Sequence, residues 1–171
     1  MFERAVSSSK AAARAALLVL ACALLCAGCA AGGSPPLIKT VKEIRHENGL
    51  VVGLPEGFEA KRTGEGFAVE PEASRNLQLR DPIVAYVSLV KGGAPEESSL
   101  RARSVGGKEV RYRVAKEENP GSGGDIYGLG VVERVPGGHI KYSQGKQSED
   151  GEPDFALLWT LVGSTKYRES L

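Results

Sequence analysis

Histidine, cysteine and tryptophan are all scarce in this chain, and each shortage closes off a chemistry. Only two histidines occur in 171 residues, His46 and His139. A hydrolytic triad needs a base within reach of a nucleophile, and no Gly-x-Ser-x-Gly turn offers one. Both histidines fall in strand-like segments near turns, where structural or solvated roles are the rule. The three cysteines, Cys22, Cys26 and Cys29, all lie at the N-terminal end, so the rest of the chain has no disulfide and no cysteine metal site. Zinc asks for three or four clustered ligands, and two separated histidines do not supply them. Charge of one sign is also missing, with 22 Lys and Arg against 21 Asp and Glu. Without a basic stripe, nothing points to nucleic acid.

The one long apolar run is residues 15–25, preceded by Arg4, Lys10 and Arg14. This is the layout of a secretory signal, and it falls short of the roughly 20 apolar residues that a spanning helix needs. It ends in Leu25-Cys26-Ala27-Gly28-Cys29. Small residues admit a peptidase, and the cysteine sulfur takes lipid, as in bacterial lipoproteins. Cys26 stands where other lipoproteins carry leucine, and Cys26 and Cys22 are the alternative points of cleavage. Ala30 follows Cys29 in place of Asp, which by resemblance to other lipoproteins directs the protein to the outer membrane. The expected organisation is a signal peptide at 1–28, a lipidated flexible tether at 29–36, and one domain at 37–171 in the periplasm. Glycine, serine and two prolines keep the tether from being helical. Palmitate-type acyl chains on Cys29 would hold the domain near the membrane. Loss of 1–28 lowers Lys and Arg from 22 to 19 and Asp and Glu from 21 to 20, leaving the domain near neutral.

The domain reads as α+β: a twisted antiparallel β-sheet of hairpins with a C-terminal helix packed on it. Asn48-Gly49 predicts a two-residue hairpin turn, because both residues tolerate positive φ. Leu50-Val51-Val52-Gly53-Leu54 follows as a strand ended by Pro55-Glu56-Gly57. Residues 58–62 and 66–70 make a second hairpin around Thr63-Gly64-Glu65, with Phe58 and Phe67 on one face. Two further strands are expected at 76–80 and 83–89, separated by Asp81-Pro82. Residues 91–99 form a polar loop, and 100–105 fits either a strand or a turn of helix. At 108–115, Val110, Tyr112 and Val114 alternate with charged residues, as in a half-buried strand. After a loop at 116–124, strands at 125–134 and 139–147 flank Pro136-Gly137-Gly138, with Tyr127 and Tyr142 facing each other. Phe155, Leu158, Trp159 and Val162 recur at helical spacing, so 155–167 predicts a helix with Asp154 as N-cap and Trp159 inward.

Carboxylates are the remaining chemistry-bearing groups. Glu96-Glu97, Glu117-Glu118 and Glu149-Asp150 could supply an acid–base pair for glycoside cleavage by composition alone. Each lies in a Gly- or Pro-rich loop, where solvated charge is the ordinary role. Asp150-Gly151-Glu152-Pro153-Asp154 sets carboxylates at alternate positions, yet lacks the other ligands of a calcium loop. Gly121-Ser122-Gly123-Gly124 lacks the lysine and following helix of a phosphate loop. No catalytic residue, metal site or cofactor is assigned on these grounds. The few aromatics are read as core.

One resemblance covers most of the domain. His46-Glu47-Asn48-Gly49-Leu50-Val51-Val52-Gly53-Leu54-Pro55-Glu56-Gly57-Phe58, followed by Gly66-Phe67-Ala68-Val69-Glu70-Pro71, resembles the start of periplasmic immunity lipoproteins of the type VI secretion system. Asp125-Ile126-Tyr127, the strand end at 144–147 and Phe155-Ala156-Leu157-Leu158-Trp159 are similar as well. A "Leu-Pro-x-Gly-Phe" strand also occurs in antiparallel domains of the PsbP/Mog1 sort. The resemblance implies an inhibitor with no catalytic group that neutralises a secreted peptidoglycan-cleaving muramidase. It also implies an effector that uses calcium, so that calcium would enter only through the partner. Loops on a rigid sheet make the best plug, and the expected contacts are Glu117, Glu118, Gln144, Glu149, Asp150, Glu152 and Asp154. The alternative is a non-catalytic envelope lipoprotein acting as an adaptor or assembly factor. An enzyme would instead need carboxylates of perturbed pKa in a cleft.

Overall fold

The computed structural model describes residues 34–75, 84–93, 99–118 and 124–169. The signal segment, Cys29, the strand at 76–80, Asp81-Pro82, Glu96-Glu97 and Gly121-Ser122-Gly123 lie outside them. Among the described residues the strands are β1 (Thr40–Arg45), β2 (Leu50–Pro55), β3 (Phe58–Arg62), β4 (Gly66–Pro71), β5 (Ala85–Lys91), β6 (Arg101–Val105), β7 (Lys108–Glu117), β8 (Asp125–Val135), β9 (Gly138–Ser148) and β10 (Lys166–Tyr167), with one α-helix, α1 (Ala156–Ser164). The strands form a three-stranded sheet, β1-β2-β10, and a seven-stranded sheet, β3-β4-β5-β9-β8-β7-β6. Every pairing is antiparallel. The α+β expectation is met, with the sheet dominant and the helix short.

Alternation decides which side of the large sheet is closed. Val87, Tyr142, Val131 and Tyr112 follow one another across β5, β9, β8 and β7, and the first three are fully buried. Phe67 and Val69 continue this face on β4, with Phe58 half-buried on β3, so the two phenylalanines share a face as expected. Against it pack β2, buried along its whole length, and α1. The helix touches β2 in one sheet and β5, β6 and β9 in the other. That position explains its composition: residues 157–162 are all buried, whereas a helix with one wet side carries a polar stripe. Trp159 points inward, edge-on to Tyr112 at 5.4 Å and under the Arg103 guanidinium at 5.0 Å.

Several sequence expectations shift. The C-terminal helix stops at Ser164, and Lys166–Tyr167 pairs with Val51 and Leu50 as β10; covering the free edge of β2 satisfies backbone groups that a longer helix would have left bare. Asp154 is one residue short of the N-cap position, which Phe155 holds, yet its Oδ1 accepts the Ala156 N–H at 2.6 Å and so secures the helix start. The Asn48-Gly49 turn spans four residues, because only Gly49 has positive φ, at 92°. Asn48 instead bridges outward, donating to the Glu65 carbonyl at 2.8 Å. Residues 101–105 are a strand, and β7 runs on through Lys116 and Glu117. Tyr127 and Tyr142 share a face without meeting, since Tyr127 is opposite Lys146 and Tyr142 opposite Val131.

Candidate functional site

Antiparallel order brings distant carboxylates together. The end of β7, the start of β8 and the end of β9 lie at one end of the sheet, with Glu117 opposite Ile126 and Asp125 opposite Ser148. Glu117, Glu118, Glu149, Asp150 and Glu152 are all exposed there. Gly124 abuts Ser148: at φ +107°, a Cβ would lie 2.4 Å from the Ser148 carbonyl oxygen, so only glycine fits where the loops meet. Lys116 pairs with Asp125 at 2.7 Å, and that hydrogen bond and charge raise the lysine pKa above its ordinary value. Lys146 donates to the Asp154 carbonyl, tying the loop back to β9. Glu117, Glu118, Glu149, Asp150 and Glu152 pair with no described side chain in a hydrogen bond or ion pair.

Two expected contact residues are placed differently. Gln144 is 3% exposed on the closed face, opposite Ala85 and Leu129, and both amide atoms lack hydrogen-bond partners. A side chain so enclosed is not part of the surface. Asp154 is exposed, but one carboxylate oxygen holds the helix start.

The histidines play structural parts. His46 is edge-on to Phe67 at 5.4 Å, its Nε2 lies 2.9 Å from the Thr63 carbonyl, and its Nδ1 accepts from the Asn48 N–H. His139 is buried and its Nδ1 has no partner. Among the described residues no group of three or more His, Cys, Asp or Glu could hold a metal ion, and no helix is long and apolar enough to cross a membrane.

The other face of the large sheet escaped the sequence reading. Among the described residues no helix or strand lies over it, and Tyr86 on β5 is 50% exposed and Ile126 on β8 is 40% exposed. Beside Tyr86 a depression of about 320 Å³ is floored by Gly128, Gly130, Ser143 and Gly145. A second hollow of about 230 Å³ continues from Gly130 to Arg113 and Lys141. A Cβ added at Gly128 or Gly130 would meet nothing within 4 Å. The sequence signal was present, as glycines interrupting otherwise good strands, but only strand register shows that they are neighbours.

Comparison with known proteins gives three results. The model of the type six secretion immunity 3 domain matches residues 51–166. "Immune protein Tsi3" of Pseudomonas aeruginosa is 39% identical over 121 residues, which cover 71% of this chain and 79% of that protein. A crystal structure from Bacteroides thetaiotaomicron aligns with a TM-score of 0.53 at 13% identity over 77% of this chain. The chain spans half the length of that structure, and the likeness concerns fold alone.

Proposed function

The chain belongs to the type six secretion immunity 3 family, and from that premise we propose that it is a lipid-anchored periplasmic inhibitor of a secreted peptidoglycan hydrolase. Family membership makes it an immunity protein of type VI secretion, one that inhibits an effector and is not itself a catalyst. The signal at 1–28 and the lipid on Cys29 belong to the proposal. They would station the inhibitor at the outer membrane, where an injected cell-wall enzyme does its damage.

The observation that carries the mode of action is the convergence of Glu117, Glu118, Glu149, Asp150 and Glu152 at one end of a rigid sheet, none paired to another described side chain. A partner with a bound calcium ion or an exposed arginine offers such carboxylates a hard cation or a guanidinium fork. Truncating a carboxylate buried in such a contact costs about 2–5 kcal/mol of binding. The test is deletion of the gene in cells facing neighbours that fire the secretion system. Lysis that the full-length gene prevents, and that Cys29→Ala fails to prevent, is the expected result. Survival of the deletion strain contradicts the proposal.

A further inference from the structure

We propose that the open face of the seven-stranded sheet is a second contact surface for the same effector, taking an acidic loop of that protein over a floor bounded by Arg113 on β7, Lys141 on β9 and Tyr86 on β5. The inference rests on the reading that this chain binds a hydrolase. Arg113 and Lys141 line one hollow, and both are exposed. Neither has an ion-pair partner among the described residues, in contrast to Lys61, Lys108, Lys116 and Lys166, each of which does. Two cations without a counter-charge beside an open depression are complementary to acidic groups from outside the chain. Glycoside-cleaving enzymes carry such groups of necessity, because their chemistry runs on a pair of carboxylates.

Shape agrees with charge. Arg113 is opposite Gly130 on β8, Gly130 is opposite Ser143 on β9, and Ser143 is opposite Tyr86 on β5. One row across four strands thus runs from guanidinium to exposed aromatic over a floor with almost no side chains. Strands lie about 4.8 Å apart, so Arg113 and Tyr86 rise about 14 Å from each other, wide enough for one extended segment. Tyrosine and arginine are the side chains that most often anchor interfaces. Arg113 and Glu117 share a side of β7 and are four residues apart, about 13 Å along the strand. A single partner therefore reaches both the cationic face and the acidic end within an interface of ordinary size.

The experiment uses the full-length lipidated chain in detergent and the type VI secreted peptidoglycan hydrolase it is proposed to inhibit, with both catalytic carboxylates intact and no peptidoglycan present. Binding is measured for the unaltered chain, for Arg113→Glu with Lys141→Glu, for Tyr86→Ala, and for Glu149→Gln with Asp150→Asn and Glu152→Gln, each checked by thermal melting. The face variants are expected to melt with the unaltered chain. The charge reversal should bind at least 100-fold more weakly, with a flattened salt dependence, and Tyr86→Ala at least 10-fold more weakly. Binding of the charge reversal within threefold of the unaltered chain overturns this inference and leaves the proposed function intact. Failure of the unaltered chain to bind the hydrolase overturns both. Self-association of the unaltered chain that the charge reversal abolishes assigns the face to a second copy, and overturns the inference as well.

Discussion

The two faces of the large sheet are built from alternate residues of the same strands, yet Lys108 on one and Arg113 and Lys141 on the other are treated in opposite ways. On the closed face Lys108 donates to Glu133 at 3.0 Å and to the Val162 carbonyl at 3.1 Å, and also to the Thr165 carbonyl. The Tyr142 hydroxyl donates to the same Glu133 oxygen at 2.6 Å. One cation, one carboxylate and one phenol thus tie β7, β8 and β9 to the end of α1. On the open face, five residues along β7 from Lys108 and one residue before Tyr142 on β9, Arg113 and Lys141 reach no partner among the described residues. The difference separates two uses of charge: Lys108 is held by three acceptors at the end of α1, while Arg113 and Lys141 have no counter-charge among the described residues.

That contrast can be broken experimentally, first where the effects are largest. Leu158, fully buried between the sheets, should cost about 2–5 kcal/mol when changed to alanine, read as a fall in melting temperature with no change in affinity of the folded protein. Lys108→Met takes the donor from the Val162 and Thr165 carbonyls and leaves Glu133 with the Tyr142 hydroxyl alone. Its side chain is 23% exposed and that of Glu133 14%, so water partly relieves the loss, and about 1–3 kcal/mol is expected by chemical denaturation.

A pH series sharpens the same point. Burial, then the neighbouring Glu133 charge, raise the Tyr142 pKa well above its usual value. The folded state thus holds this proton more tightly than the unfolded chain does. Stability from this group is fully present below the ordinary tyrosine pKa of about 10 and is lost as pH rises beyond it. Tyr142→Phe should remove that alkaline decline, as followed by melting temperature between neutral and alkaline pH.

The smallest effect carries an unusual sign. Gly128→Ala should raise stability by up to about 0.5–1 kcal/mol, because glycine is disfavoured in a strand interior and the added methyl meets open space. The same change should weaken effector binding by filling the floor of the depression. A variant that gains melting temperature and loses affinity would mark Gly128 as belonging to the partner's side of the ledger.

Much of this was legible from residue order, for reasons that differ by element. The hairpins at Thr63-Gly64-Glu65 and Pro136-Gly137-Gly138 declare themselves because turn chemistry is local. The core side of β7 follows from the alternation of Val110, Tyr112 and Val114. What stayed hidden depends on contacts between distant segments. Nothing near Lys166 says that two residues will pair with Leu50 and Val51, since the unpaired edge of β2 is what recruits them. The open face is likewise a property of register: Gly130, Ser143 and Tyr86 come from three strands. Gln144 shows the converse. Its position two residues after Tyr142 places it on the closed face, while the resemblance alone had placed it among the contacts.

Inhibition by occupancy is tested most directly by one titration: peptidoglycan hydrolysis by the type VI secreted effector, measured as the full-length chain is added in rising molar ratio. Activity should fall in proportion to the chain added and vanish at equimolar ratio, with both proteins recovered unaltered in mass. Hydrolysis that persists at molar excess, or that is lost at a small fraction of the effector's concentration, would contradict it.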